Sequence, residues 1–220
     1  MKCRHSNNSR AGHTLVETAV ACVVAVMMIG AVGLITVRAN AAYRASTNNA
    51  DANTHVQRAI ERVAKEFMDA DRSSLALTPT APQPASAVDF RRGTGYAAGV
   101  LTVGATRRIR FEYATGEVNN DRDDNGNGLI DEGRIVLRPD LVTLPNTTVM
   151  LVDNVRELLE GEIPNGQDDN GNGLSDEPGF TMTYDTTSCT LTLRATVESP
   201  GEDGALITRT SQTSIWIRND

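Results

Sequence analysis

Residues 15–37 read LVETAVACVVAVMMIGAVGLITV. These 23 positions carry one charge, Glu17. Coiled as an α-helix they extend about 35 Å, enough to cross a ~30 Å hydrocarbon layer. The stretch before them, MKCRHSNNSRAG, is polar and basic through Lys2, Arg4 and Arg10. The positive-inside rule keeps that leader in the cytoplasm and puts the chain after residue 37 on the far side.

Outward from this run the helical pattern continues. Val56, Ile60, Val63 and Phe67 recur at spacings of four, three and four, which marks one helix face. Glu61 with Lys65 and Arg62 with Glu66 form i,i+4 pairs on the outside. An amphipathic helix is therefore expected over 38–72. RASTNNADANT at 44–54 forms helix weakly, so it reads as a bent or frayed connector or as part of one continuous helix. TPTAPQPASA at 78–87 holds three prolines and is a loop. The chain beyond it reads as β. Ile109, Phe111 and Tyr113 alternate with polar residues, as do Phe180, Met182 and Tyr184. Leu191 alternates with Leu193, and Ile215 and Ile217 flank Trp216. A long N-terminal helix, transmembrane then amphipathic, followed by strands predicts an α+β fold with a mainly antiparallel sheet over 73–220.

The 220 residues are 40% hydrophobic and 22% charged, which places the chain among folded proteins. Aromatics at 4% leave an aliphatic core. The net charge of −7 provides no basic surplus for phosphates, which argues against nucleic acid as a partner. All three histidines, His5, His13 and His55, lie in the first quarter. A Ser-His-Asp triad or His-ligated zinc is therefore not expected in the β-rich part, nor is a nucleophile elbow visible. No enzymatic activity is expected. Cys3, Cys22 and Cys189 fall in three different kinds of segment and predict no intrachain disulfide; Cys189 reads as a buried free thiol.

A secretory signal peptide would have a shorter apolar region and a small-residue cleavage site after it. A plain anchor leaves Glu17 unexplained, because a carboxylate in lipid costs about 2.5–3.5 kcal/mol even on the gentlest scale. Gly12-His13-Thr14-Leu15-Val16-Glu17 ahead of an apolar helix resembles the class III leader of type IV pilins and type II secretion pseudopilins. The resemblance implies a pilin-like fold and a prepilin peptidase that cuts after Gly12 and N-methylates His13. It makes 1–12 the leader and 13–37 the transmembrane helix, with Glu17 fifth in the mature chain. It also implies that Glu17 pairs with the terminal amine of a neighbouring subunit. That family usually has Phe or another apolar residue where this chain has His13. Loss of the leader removes three positive charges, so −7 becomes −10.

A second signal is a duplicated acidic loop. DDNGNGLIDE at 123–132 returns as DDNGNGLSDE at 168–177, offset by 45 with one difference in ten. The alternative is two hairpin turns rich in Asn-Gly, with no metal. Two nearly identical copies, each crowding carboxylates that repel without a cation, favour calcium, which takes six to eight oxygens on a sharply turning loop. Mg²⁺ fits worse, since it favours octahedral sites that retain water. Two registers are open. One starts at Asp123 and uses Asp123, Asn125, Asn127, the Leu129 carbonyl and Asp131, with Arg134 at its twelfth position. The other starts at Asp121 and ends at Glu132. The second copy offers Asp168, Asn170, Asn172, Leu174, Asp176 and Glu177; it favours the first register, because Gly166 stands where Asp121 does. The loops, 121–133 and 166–178, resemble those of EF-hands, dockerins and thrombospondin type 3 repeats, without the EF-hand helices. Their expected role is to pin long loops that lack apolar anchoring.

VQRAIERVAKEFMDADR at 56–72 resembles the helix of J-type minor pseudopilins and W-type minor pilins. So does the order IVLRP, VMLVDNVREL, FTMTYD and TSIWIRND that follows. The resemblance implies a minor subunit of a type II secretion pseudopilus or type IV pilus tip. Its expected place is the inner membrane, single-pass, with its C-terminal part in the periplasm or at the cell surface. Its expected partners are prepilin peptidase, other pilins or pseudopilins, and a secreted substrate. The rival expectation is a membrane-anchored, calcium-dependent adhesion module; a periplasmic hydrolase is weaker still.

Overall fold

The computed structural model describes residues 14–78, 84–171, 175–201 and 205–218. Helix α1 runs unbroken over Leu15–Phe67. The Asn- and Thr-rich stretch at 44–54 is helical throughout. Thr47 and Thr54 donate their hydroxyls to the carbonyls of Tyr43 and Ala50, at 3.0 and 2.9 Å, so these polar side chains bond within the helix instead of opening it. The chain divides into two units, Met1–Thr47 and Asn48–Asp220. In the first unit every described side chain is exposed, and α1 is the one described helix long and apolar enough to cross a membrane.

The second unit is α+β. Its helical part buries Ala52, Val56, Ala59, Ile60, Val63, Ala64 and Phe67, which includes all four residues of the expected stripe. The Phe67 and Phe90 rings lie 4.7 Å apart at 40°. Glu66 also meets Arg107 at 2.7 Å. The helix ends at Phe67, five residues short of the expected 72. Ala70 instead bridges Arg92, the Asp71 amide donates to the Arg91 carbonyl at 2.8 Å, and the Gly93 amide to the Asp69 carbonyl at 2.8 Å. A 3₁₀ turn over Arg72–Ser74 follows, with the Asp71 side chain accepting from the Ser73 amide.

The strands are β1 (Ala76–Thr78), β2 (Ala87–Ala97), β3 (Val100–Tyr113), β4 (Gly133–Arg138), β5 (Val149–Val155), β6 (Phe180–Asp185), β7 (Thr190–Pro200) and β8 (Leu206–Trp216). All pairings are antiparallel, in the order β1-β2-β3-β4-β5-β7-β6, with β8 also on β7. One edge of β7 is covered along its length by β8. The other edge is shared: β6 takes Thr190–Ala195 and β5 meets it at Val197. Val88, Phe90, Ile109, Ile135, Phe180, Met182, Leu191 and Leu193 join the α1 stripe in one core, as period-two alternation requires. Of the Ile215-Trp216-Ile217 run, Ile217 is buried and Trp216 faces out. Cys189 departs from its expectation. It lies partly exposed between β6 and β7, with Arg72 Nη1 at 2.8 Å from its Sγ, because it follows a tight turn at φ +55° and not a core strand position.

Candidate functional site

Both acidic loops leave from one end of the sheet. The first, 114–132, joins β3 to β4; the second, 156–179, joins β5 to β6. Their bases are neighbours through the pairs Tyr113–Gly133, Gly133–Val155 and Val155–Val197. Gly133 must be glycine: a Cβ there would stand 2.2 Å from the Phe111 ring and 2.6 Å from the Glu112 carbonyl oxygen. A Cβ on Gly179, at the end of the second loop, would meet the Arg156 carbonyl oxygen at 1.8 Å.

Within the first loop, Asp123 accepts the amides of Gly126 (2.6 Å), Asn127 (3.2 Å) and Gly128 (2.8 Å). The amide bond from Gly128, with those from Gly126 and Asn127, holds its carboxyl below the usual range. Asn125 and Asn127 accept the amides two residues on. Asp131 accepts from the Asn120 and Asp121 amides at 3.1 and 2.7 Å. Asp123 and Asp131 thus engage both carboxylate oxygens with backbone donors. Among the described residues no three Asp, Glu, His or Cys side chains come together as a metal-holding group. Glu132 instead gathers Asn125 and Asn127, whose Nδ2 atoms each lie 2.7 Å from its Oε1. Leu129 is buried beneath the loop.

The second loop repeats this pattern where it is described. Asp168 accepts from Gly171, and Asp176 from Asn165 and Gly166. Asn170 donates to Glu177 at 3.2 Å. Asn172 and Leu174 lie outside the described residues.

The geometry adds two residue pairs that the sequence reading left out. Glu117 accepts the Asp124 and Asn125 amides at 3.1 and 2.7 Å; Glu162 accepts those of Asn170 and Asp176 at 3.2 and 3.0 Å. Asn120 and Asn165 donate to Asp124 and Asp169. The signal was present, because the offset of 45 extends upstream. EVNNDRDDNGNGLIDE at 117–132 and EIPNGQDDNGNGLSDE at 162–177 agree at 11 of 16 positions. In the first copy Oε2 of Glu117 and Oε2 of Glu132 are buried without a hydrogen-bond donor.

The loops touch through Tyr113. Its hydroxyl donates to Glu157 Oε1 at 2.7 Å, and Asn119 Nδ2 donates to the Tyr113 oxygen at 3.0 Å and to Glu157. Between the loops lies a cavity of about 220 Å³ lined by Asp121, Asp131, Arg156, Glu157, Glu198 and Leu206. Arg156 meets Glu198 at 3.3 Å. Burial raises the Glu198 carboxyl, Arg156 opposes the shift, and Glu132 adds to it.

Burial, and then the bond to Glu157, push the Tyr113 phenol up to about 12. A folded pKa above the unfolded value stabilises below about pH 10 and is lost as pH rises towards 12. Stability is therefore expected to fall between about pH 10 and 12, and Tyr113→Phe to flatten that fall. Chemical denaturation across this range checks it; an unchanged slope in the variant would count against the assignment.

At the other end of the chain, Thr14 and Glu17 cap α1 reciprocally. The Glu17 amide donates to Thr14 Oγ1 at 3.3 Å, and the Thr14 amide to Glu17 Oε2 at 3.0 Å. Glu17 thus has a local role at the helix start that the sequence reading did not weigh. Gly12 and His13 lie outside the described residues. Comparison with protein-family models, curated proteins and solved structures finds no match.

Proposed function

We propose that this protein is a pilin-like minor subunit, cut after Gly12 by a prepilin peptidase and assembled into a type II secretion pseudopilus or pilus tip. One observation carries the reading. Glu17 sits in the first turn of a helix whose next twenty residues are uncharged and exposed. A soluble protein gains nothing from such a surface; a bilayer or a bundle of like helices covers it. The carboxylate in that setting is stabilised by a nearby cation, which the amine released at His13 of an adjoining subunit supplies. The amphipathic half of α1, packed on an antiparallel sheet, agrees with the pilin-like architecture. The work is mechanical, and the β-rich unit meets sibling subunits or cargo. A cation in the acidic loops would hold these long connections in one shape.

A second reading, a membrane-anchored calcium-dependent adhesion module, draws on the gathering of both loops at one sheet end. Pulse-labelling with and without prepilin peptidase separates the two. The proposal expects a shift to a shorter species only when the peptidase is present; identical mobility in both cells would favour the anchor.

A further inference from the structure

We propose that β8 is a self-pairing edge: its outer side takes β8 of a second copy of this chain, antiparallel, in a two-fold register centred on Ser211.

The open edges of the sheet are not alike. β1, at one end, has three residues. β6 is bridged by Ala85, which exchanges backbone bonds with Met182 at 2.9 and 2.7 Å. The open part of β5 has its Leu151 carbonyl met by Arg62 of α1 at 3.4 Å. β8 has eleven residues and pairs β7 from Leu206 to Trp216 without a register shift. No strand lies on its other side among the described residues. Native edges are commonly blunted by proline, by bulges or by charges, lysine above all. LITRTSQTSIW at 206–216 has no proline and one charge, Arg209. That guanidinium bonds Asn49 and the Thr208 carbonyl. A long, regular edge of this kind presents a row of backbone donors and acceptors, and an added strand of equal length makes about ten bonds with it.

The polarity of β8 selects the strand that fits, because it reads the same in both directions: two apolar residues at each end and seven polar residues between. In an antiparallel pair centred on Ser211, Leu206 of one copy stands opposite Trp216 of the other, and Ile207 opposite Ile215. Thr208 meets Ser214, and Thr210 meets Gln212. Leu206 and Trp216 lie on the outward face, 43% and 59% exposed, while Ile207 and Ile215 share the half-buried face. Each copy thus covers the other's apolar ends. Sliding the pair by two residues sets Trp216 against Thr208 or Leu206 against Ser214. The charges agree with the centred register. Arg209 falls opposite Thr213, so no like charges meet. Thr213 lines a groove with the exposed Glu61 of α1, and Arg209 is carried toward that carboxylate of the other copy; Lys65 lies one helical turn further along α1. A two-fold pair is closed and does not propagate. It is therefore a different contact from assembly directed by Glu17 and is judged separately from it.

The test is disulfide trapping in the full chain, purified in detergent with Cys3, Cys22 and Cys189 changed to serine. Ser211→Cys, oxidised with copper–phenanthroline, is expected to link at least about half of the chains into dimers, since opposed residues of an antiparallel pair lie ~4.5–5.5 Å apart at Cα, within disulfide reach. Thr208→Cys alone should link less than about a tenth, because ~20 Å of strand separates it from its counterpart. A mixture of Thr208→Cys and Ser214→Cys chains should link as fully as Ser211→Cys, a readout that holds even if position 211 tolerates no change. Ser211→Lys in both chains of that mixture sets two ammonium groups face to face. With circular dichroism unchanged, it should lower the yield at least about fivefold. No link in the mixture, a Thr208→Cys yield equal to the mixture's, or indifference to Ser211→Lys would overturn the inference. A β8 that pairs only with a strand of a different protein would give the first of these results.

Discussion

Phe67→Ala is expected to destabilise the β-rich unit by about 3–5 kcal/mol. Phe67 is fully buried, ends the apolar stripe of α1 and stacks against Phe90 at 4.7 Å. Truncation removes the transfer energy of a whole ring, leaves a cavity, and loses an aromatic pair worth about 0.5–1.5 kcal/mol in its own right. A loss of that size is a large fraction of the ~5–15 kcal/mol that a domain has in total. Urea unfolding of the full chain in detergent, followed by circular dichroism, measures it. Met68→Ala, at the next position and 64% exposed, is the control and should stay within about 0.5 kcal/mol. A Phe67→Ala cost no greater than the control would mean that the helix does not anchor the sheet.

Glu17→Leu is expected to leave membrane insertion and cleavage intact and to reduce assembly on the order of a hundredfold. Leucine makes the segment more apolar, so insertion does not suffer. What is lost is the negative charge that the proposed assembly sets against a neighbour's amine. Because Glu17 also caps α1, the variant alone does not separate charge from capping. Thr14→Ala does: it removes the Oγ1 side of the cap and keeps the carboxylate. Capping residues are worth about 0.5–2 kcal/mol locally, so Thr14→Ala should assemble nearly normally. Recovery of the processed subunit with its partners after crosslinking is the readout. Normal assembly by Glu17→Leu, or equal failure by Thr14→Ala, would contradict the charge-pairing account.

What could be read in advance followed local rules. Val56, Ile60, Val63 and Phe67 obey helical spacing, and all four are buried because one face of a helix must find a core. Phe180 and Met182, and Leu191 and Leu193, obey the two-residue period of a sheet face. The end of α1 at Phe67 was not legible. MDADR carries no glycine or proline, and the helix stops because Asp69 to Asp71 pair with Arg91 to Gly93 far along the chain. The β2–β3 hairpin was half hidden: Gly93 and Gly95 stand inside β2, where strand propensity disfavours glycine. Its turn at Ala98-Gly99 has positive φ at both residues, 51° and 78°, a geometry suited to tight hairpins. The division of the β7 edge between β5 and β6 depends on pairings over long sequence separations, which no local period encodes.

The acidic loops show the same limit within one motif. The spacing of Asp123, Asn125 and Asn127 was visible, and it suggested side chains aimed at a cation. Asp123 takes three backbone amides, as short acidic side chains do in tight turns. The residues left with an unanswered buried oxygen are Glu117 and Glu132, at the loop's two ends. Burial singles them out, and burial is a tertiary property.

The most direct test of the central claim is the intact mass of the protein recovered from membranes that contain prepilin peptidase. Assembly by charge pairing at Glu17 predicts a chain beginning at His13 with a methylated terminal amine. A functional chain still beginning at Met1 would contradict it, since the amine would then stand sixteen residues from Glu17 in the polar leader.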